Sequence, residues 1–262
     1  MKKRTLLVTF ALAAAIIVTG CGGGGGETTT ETAPAPADTS APGAAPAADG
    51  PTGTVSGTIS YVNGDPDGEI QMGADPVCAG LHSEPVETEK VVQADGKLAN
   101  VFVYVKEGLS GSWDPPGEAH LLDQVGCRYT PHVSGMMVGQ TLTIRNSDPT
   151  LHNVHALPEA NEEFNNGQPF QGMELEKVFD QPEIMIPFKC DVHPWMAAYM
   201  AVLEHPFFAV SATDGTYAIE DLPAGDYVIE AWHETLGAQT LNVTVEADAA
   251  ASASFEYAPA AG

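Results

Sequence analysis

Residues 189–196, KCDVHPWM, place three side chains that bind soft metals on one short segment. Cys190, His193 and Met196 are separated by two residues each time, and they supply a thiol, an imidazole and a thioether. A buried cluster of Cys, His and Met in an apolar core is the alternative interpretation. The segment alone is a weak signal, so further ligands must be sought elsewhere in the chain.

A second segment, SDPTLHNVH at residues 147–155, adds His152 and His155. In a β-strand, residues three apart point to opposite faces, so only one of the two should face a common site, and periodicity does not choose between them. One thiolate, two imidazoles and a weak axial thioether describe an electron-transfer copper site. A structural zinc site would use four close ligands, usually with two or more cysteines. The ligand types therefore favour copper as the cofactor.

The chain around these segments predicts an all-β fold. Short runs of β-branched and aromatic residues alternate with turn signals such as NGDPDG, SDP, TDG and PAGD. Many short strands at near-regular spacing are typical of β-sandwiches and Greek keys. A short helix is possible in ALPEANEEF, residues 156–164. The predicted strands are 53–62, 98–105, 140–146, 152–157, 183–189, 199–203, 207–212, 216–222, 226–233 and 239–247.

The order SDPTLHNVH followed by CDVHPWM resembles the cupredoxins, the blue copper proteins. The resemblance covers roughly residues 130–205 and implies a Greek-key β-sandwich with one type 1 copper ion. In that family the first histidine of the HNVH-like segment is the ligand. The ligand set that the resemblance implies is His152, Cys190, His193 and Met196, with Met200 as the alternative axial ligand.

The same resemblance assigns roles to the neighbours of these ligands. Asn153 would tie the two ligand segments together, with its backbone N–H near the Cys190 sulfur. Pro194 would stiffen the loop, and Trp195 would cover the edge of the copper site. His193 would be the solvent-near edge through which electrons pass. The segment EANEEFNNGQPFQGMELEK departs from the family as a long insert between the ligand segments.

A second resemblance concerns two segments on either side of the copper-ligand region. The stretch FFAVSATDGTYAIEDLPAGDYVIEAWHETLG, residues 207–237, resembles carboxypeptidase regulatory-like domains, which are transthyretin-like β-sandwiches. GTVSGTISYVNGDP, residues 53–66, is similar to the opening strand of the same module. Residues 54–129 are therefore expected either to complete a sandwich with 206–262 around a copper domain at 130–205, or to precede two domains in series.

The N-terminus predicts export and lipid attachment. MKKR supplies the positive region and LLVTFALAAAIIV an apolar core too short for a comfortable membrane span. The following VTGC resembles the lipobox of bacterial lipoproteins, which implies a signal peptide at 1–20 and a lipid on Cys21. Residues 21–53 lack large apolar side chains and predict a disordered tether. The expected location is the cell envelope, periplasm-facing and leaning towards the outer membrane; an uncleaved span is the alternative.

The four cysteines limit which thiols are available to bind a metal. The four cysteines are Cys21, Cys78, Cys127 and Cys190, and free thiols are unusual in an exported protein. If lipid consumes Cys21 and a metal occupies Cys190, then Cys78 and Cys127 can form a disulfide. The alternative pairs Cys190 with one of the other two and leaves a stray thiol.

Charge excludes one class of partner and favours another. Lys and Arg number 10 against 35 Asp and Glu, for a formal charge of -25. Nucleic-acid binding needs a basic surface, so it is not expected. An acidic surface favours a basic redox partner such as a cytochrome, or it serves solubility alone.

These observations together predict a lipid-anchored blue copper protein that carries single electrons. No hydrolase, metalloprotease or nucleotide-binding motif occurs, and histidine pairs of the HxH type are missing, so an enzyme is not expected. A copper carrier that uses the same ligands and a carbohydrate-binding β-sandwich are the alternatives.

Overall fold

The computed structural model describes residues 50–65 and 68–259, which form an almost entirely β structure. The prediction of an all-β, β-sandwich fold is confirmed. The expected signal peptide, Cys21 and nearly all of the tether lie outside the described residues. The strands of the described part are, in chain order, β1 (Thr52–Tyr61), β2 (Gln93–Ala94), β3 (Lys97–Leu98), β4 (Phe102–Glu107), β5 (His120–Val125), β6 (Arg128–Thr130), β7 (Val133–Met137), β8 (Thr141–Asn146), β9 (His152–Ala156), β10 (Phe164–Gln168), β11 (Glu174–Val178), β12 (Glu183–Lys189), β13 (Ala197–Leu203), β14 (Phe208–Val210), β15 (Thr216–Pro223), β16 (Gly225–His233), β17 (Gly237–Val245), β18 (Ala250–Ser252) and β19 (Phe255–Tyr257).

The central sandwich, as we call it, has sheets of order β10-β9-β12-β13-β7 and β11-β8-β5-β6. On β8, Leu142 and Ile144 are fully buried and alternate with half-exposed residues, the pattern of a strand with one face on a core. They pack in one cluster with Ile186 and Phe188 from the facing sheet. Strands β12 and β9 are antiparallel with Lys189 opposite His155, so the chain after β12 continues beside the first residues of β9 at one end of the core.

The terminal sandwich joins the N-terminal strand to the C-terminal ones. Its sheets have the orders β15-β1-β3-β2, with β18 and β19 also on β1, and β14-β4-β16-β17. Val55 and Ile59 of β1 are fully buried and pack with Val103 and Ile229 of the opposite sheet. At Gly57 a Cβ atom would lie 1.8 Å from the Ala253 carbonyl oxygen, so only glycine permits this close approach.

An aromatic cluster joins the two sandwiches. The rings of Phe102 on β4 and Phe208 on β14 stack with centroids 5.4 Å apart. They lie against Gly135 of β7, where a Cβ atom would be 2.7 Å from the Phe102 ring. Val133 and Leu203 complete the cluster from the central sandwich. The contact is apolar and buried, so the two sandwiches share a hydrophobic interface.

A short cap segment, residues 72–80, lies over one end of the central core. It consists of a 3₁₀ turn at Met72–Ala74 and a helix, α1, at Pro76–Gly80. Asp75 caps this helix, and proline occupies its first turn, where a missing N–H costs nothing. A disulfide bond joins Cys78 to Cys127 in the β5–β6 turn. Among the described residues, no helix is long and apolar enough to cross a membrane.

Strand pairing crosses the predicted domain boundaries. Strands β1, β3 and β4 belong to the terminal sandwich, whereas β5 pairs in parallel with β8 of the central one. A boundary at residue 130 therefore falls inside a sheet, because β5 and β6 precede it. The expected helix at 156–164 is wrong, and the supposed insert instead forms β10 and β11, which lie at sheet edges. Their Asn, Gln and Glu content disguised them, since edge strands tolerate polar residues.

Candidate metal centre

The end of the central core brings together the predicted ligands from strands far apart in sequence. Cys190 follows β12 directly, and His152 is the first residue of β9. The loop after Cys190 turns back on itself, because the Cys190 N–H donates to the Met196 carbonyl at 3.2 Å and the Met196 N–H to the His193 carbonyl at 2.9 Å. The two histidines and the cysteine are at most 2 % exposed.

Three ligand atoms converge at this point. Donor atoms of His152, Cys190 and His193 all lie within 4.8 Å of one another. The Nδ1 atoms of the two histidines are 2.9 Å apart, and His193 Nδ1 is 3.8 Å from Cys190 Sγ. Two imidazole nitrogens and one sulfur are the trigonal ligand set of an electron-transfer copper site.

Carboxylates hold the opposite nitrogens of both rings. His152 Nε2 lies 2.9 Å from Asp148 Oδ2, and His193 Nε2 lies 3.0 Å from Asp75 Oδ2. A carboxylate only accepts, so each Nε2 carries a proton, and the two Nδ1 atoms face each other at 2.9 Å. Two Nδ1 lone pairs at this distance repel unless a cation lies between them, and either a second proton on His152 or a metal ion supplies that cation. The donor set therefore fits a bound metal ion.

Electrostatics at the centre favour positive charge. Burial disfavours a charged His152, but Asp148 and Cys190 outweigh burial and raise the pKa of His152 to about 8. Burial raises the pKa of the Cys190 thiol, but His152 and the backbone N–H groups of Asn153, His193 and Val192 lower it below its ordinary value. Lowering the pKa favours the thiolate, which is the form that binds metals.

Asn153 joins the two ligand segments through its side chain. Its Oδ1 accepts hydrogen bonds from the Asp191 N–H at 2.7 Å, the Val192 N–H at 3.3 Å and the Cys190 thiol at 3.3 Å. Its Nδ2 donates to Asn165 Oδ1 at 2.7 Å. The cysteine loop is thus fastened to β9 beside His152.

His155 faces away from the centre. Its Nδ1 is 3.0 Å from Asp191 Oδ2 and its Nε2 is 2.9 Å from Glu163 Oε1, at the surface. Because β9 is a regular strand here, residues 152 and 155 point to opposite faces. The structure therefore brings His152, and not His155, to Cys190 and His193.

Both candidate axial methionines are buried in the central core. Met196 closes the loop on the Cys190 backbone, whereas Met200 lies on β13 in register with Ile186 of β12. Both belong to the same apolar cluster as Cys190. The choice of Met196 over Met200 stays a prediction.

The expectation that His193 forms a solvent-near edge is wrong. The cap segment covers this ring: besides the Asp75 contact, Cys78 Sγ lies 3.6 Å from Nε2. The Trp195 ring lies beside it with centroids 5.1 Å apart, and the indole N–H donates to the Cys127 carbonyl at 3.0 Å. Pro194 is exposed on the loop. His193 is therefore enclosed by the disulfide, the cap and Trp195.

Sequence reasoning missed both carboxylates. Asp148 stands four residues before His152 within SDPTLH, so its position was a usable signal. Asp75 is 118 residues from His193 and belongs to a segment without a strand pattern. Cys190 is the free cysteine of the described residues, since Cys78 and Cys127 are paired.

No protein-family model matches the chain, and no curated protein matches it. Parts of solved structures do match. A copper-containing nitrite reductase from Thermus scotoductus is 20% identical over 37% of this chain and 25% of its own, with a TM-score of 0.32. A purple cupredoxin from Nitrosopumilus maritimus is 22% identical over 32% of this chain and 98% of its own, with a TM-score of 0.28. A variant of amicyanin in its Cu(I) form is 20% identical over 37% of this chain and 99% of its own, with a TM-score of 0.29.

These matches are partial. The chain spans 25% of the length of the nitrite reductase, and each match covers well under half of this chain. The expectation that the chain is not an enzyme is corrected, because a copper-containing nitrite reductase is among the matched proteins.

Proposed function

We propose that this chain is a copper protein that carries single electrons, with His152, Cys190, His193 and Met196 as ligands. The convergence of two Nδ1 atoms and one Sγ atom supports this proposal, because both outer nitrogens are bonded to carboxylates and both inner ones face each other beside the sulfur. The set contains one thiolate and two imidazoles, which suits copper better than zinc.

A bound copper ion would supply one-electron chemistry between Cu(II) and Cu(I). The residues around it favour a site that changes little between the two states. The loop from Cys190 to Met196 is closed by its own hydrogen bonds, and Asn153 fastens it to β9. Burial keeps water from the thiolate. A rigid, dry site keeps the reorganisation on electron transfer small.

The surroundings of the site carry the rest of the proposal. The lipobox-like VTGC and the polar tether support a lipid-anchored, periplasm-facing location. The acidic composition supports a basic redox partner such as a cytochrome. We propose that the terminal sandwich is a carboxypeptidase regulatory-like module, since β1 pairs with the C-terminal strands β15, β18 and β19.

The test is to add one equivalent of Cu(II) to the purified protein and record its visible spectrum. We expect an intense thiolate-to-copper charge-transfer band and reversible one-electron reduction. Cys190→Ser removes the thiolate and should abolish the band while the far-UV spectrum is retained. A band that persists in Cys190→Ser would contradict the assignment of Cys190 as a copper ligand. Tight Cu(I) binding without a stable Cu(II) form would instead indicate a copper carrier.

Two matched pairs of variants test the individual ligands. His152→Gln should destroy the site, whereas His155→Gln, on the same strand but facing away, should leave the band intact. Met196→Leu should shift the band and the reduction potential, whereas Met200→Leu should leave both unchanged. The reverse result for the methionines would make Met200 the axial ligand.

The partner proposal has its own readout. Electron transfer to a basic cytochrome should slow steeply as salt concentration rises, because opposite charges steer the encounter. A rate that is independent of ionic strength would contradict a basic partner and leave the copper assignment untouched.

A further inference from the structure

Two aspartates outside the predicted ligand set contact the two histidines. Asp148 and Asp75 each accept the Nε2–H of one ring, His152 and His193 respectively. Each contact leaves Nδ1 as the nitrogen that faces Cys190. The two carboxylates therefore favour the same tautomer of both neutral rings before any metal is bound.

Asp75 depends on the cap segment for its own position. Its Oδ1 accepts the N–H groups of Val77 and Cys78 at 2.8 and 3.2 Å. The five-residue helix α1 is far too short to be stable alone. Two residues of the cap segment are buried: Cys78 of the helix, which forms the disulfide, and Met72 of the preceding 3₁₀ turn. Loss of the disulfide would leave Asp75 poorly held.

Asp148 depends on the β5–β6 turn instead. Its Oδ1 accepts the Gly126 N–H at 2.8 Å and its Oδ2 the Cys127 N–H at 2.7 Å. Both turn residues have positive φ, 62° and 54°, as tight two-residue hairpins require. The pairing of Val125 with Arg128 closes this turn without help from the disulfide.

We propose that Asp75, Asp148 and the Cys78–Cys127 disulfide form a clamp that positions both imidazoles of the copper site. The inference rests on the proposed copper function. The aspartates are positioning residues that act through the histidines. The clamp is asymmetric: the disulfide acts on His193, by way of the cap segment, and leaves His152 to the hairpin turn.

The first test replaces Asp75 by Asn and by Ser in the full chain. Both residues keep an oxygen that can cap the helix, so the cap itself is retained. The Asn amide would donate to His193 Nε2 and move the ring proton to Nδ1, while Ser is too short to reach the ring. Ring tautomers are read by ¹⁵N NMR of the metal-free protein at about pH 10, well above the pKa of about 8 of His152, where both rings are neutral.

In both variants we expect His193 to lose its Nε2–H tautomer while His152 keeps its own. The dissociation constant for Cu(II) should rise about 10–100-fold, which is usual when the partner of a metal-bound histidine is removed. Wild-type behaviour of Asp75→Ser in both readouts would show that Asp75 merely caps the helix, and would overturn the proposal.

Two further variants test the asymmetry. Asp148→Asn should change the tautomer of His152 and leave His193 unchanged. The double variant Cys78→Ser/Cys127→Ser should reproduce the Asp75 effect at His193 and leave His152 unchanged. Equal disturbance of both rings by the cysteine variant would overturn the assignment of the disulfide to one histidine.

Asp226→Asn is the control, because it removes the same charge from an exposed position in the terminal sandwich. An equal loss of Cu(II) affinity in this control would assign the effect to net charge and overturn the clamp. The NMR readout needs no metal, so the two failures are separable. Predicted tautomers without a charge-transfer band would support the clamp and contradict the copper function.

Discussion

The cores of the two sandwiches differ in the polarity of their buried side chains. The terminal sandwich is filled by aliphatic and aromatic side chains such as Ile59, Phe207 and Ile229. The central sandwich has a similar apolar cluster, but one end of it buries His152, His193, Asp148 and further amides. Burying polar groups costs free energy unless each is hydrogen-bonded. The comparison teaches that the metal-ligating side chains are buried at one end of the central sandwich, while the core of the terminal sandwich is mainly apolar.

The largest effect should come from the apolar core of the terminal sandwich. Phe207 is buried, and its ring packs edge-on against Trp113 with centroids 5.3 Å apart. Phe207→Ala should lower the free energy of unfolding by about 3–5 kcal/mol, because it leaves a cavity. The copper band of the folded variant should keep its position, as measured by urea unfolding and visible spectroscopy.

Phe170→Ala is the matched control, since this ring is 69% exposed. It should change stability by less than about 0.5 kcal/mol. A shifted copper band in Phe207→Ala would break the comparison, because it would show that the terminal core also shapes the site.

Acid should weaken the terminal sandwich through His233. Burial lowers the pKa of His233 to about 4, and its Nε2 has no hydrogen-bond partner among the described residues. The folded pKa lies below the unfolded value, so this contribution to stability is complete above about pH 6.5 and is lost as pH falls towards 4. His233→Asn should flatten the pH dependence there by up to about 1.4 kcal/mol per pH unit.

The measurement is urea unfolding of both proteins between about pH 7.5 and pH 4.5. Asn is chosen because its side-chain oxygen can replace Nδ1, which accepts the N–H groups of Thr235 and Leu236. Parallel pH profiles for wild type and variant would contradict a neutral, buried His233.

A pair of tyrosine hydroxyls gives a like-for-like comparison. Tyr129 OH in the central core donates to the carbonyls of Asn153 and Lys189, at 2.6 and 3.0 Å. Tyr257 OH in the terminal core donates to the Ala231 carbonyl at 2.8 Å. Either Tyr→Phe change should cost about 1–3 kcal/mol in unfolding free energy, because buried carbonyls lose a donor.

Only Tyr129→Phe should also disturb the copper spectrum, since its hydroxyl joins the strand of His152 to the strand that leads to Cys190. The same spectral shift in Tyr257→Phe would contradict the proposal that only the central core shapes the copper site. Unfolding curves and visible spectra of both variants decide it.

The smallest effect should come from Trp195. Trp195→Phe removes the indole N–H that donates to the Cys127 carbonyl, and it should cost about 1 kcal/mol. The aromatic ring that covers His193 remains, so the copper affinity should stay within twofold. A large loss of affinity would show that the indole N–H, and not only the ring, holds the enclosure of His193 together.

Much of the fold and of the candidate site could be predicted from local sequence patterns. Runs of β-branched and aromatic residues between turn signals predicted strands such as β8 and β16, and the donor types on CDVHPWM and HNVH predicted the ligand cluster. Edge strands β10 and β11 were hidden, because their polar composition resembles a loop. The cap segment was hidden too, since a five-residue helix has no period to detect.

The amino-acid sequence by itself determined the chemical types at the centre, the all-β class and the placement of His152 and His155 on opposite strand faces, because period-2 alternation and ligand chemistry are local properties. Tertiary structure alone decided which histidine meets Cys190, and which carboxylate meets each ring. It also decided that a disulfide-bound cap buries His193. Those contacts join residues up to 118 positions apart, and long-range pairing is fixed by the packing of a whole core.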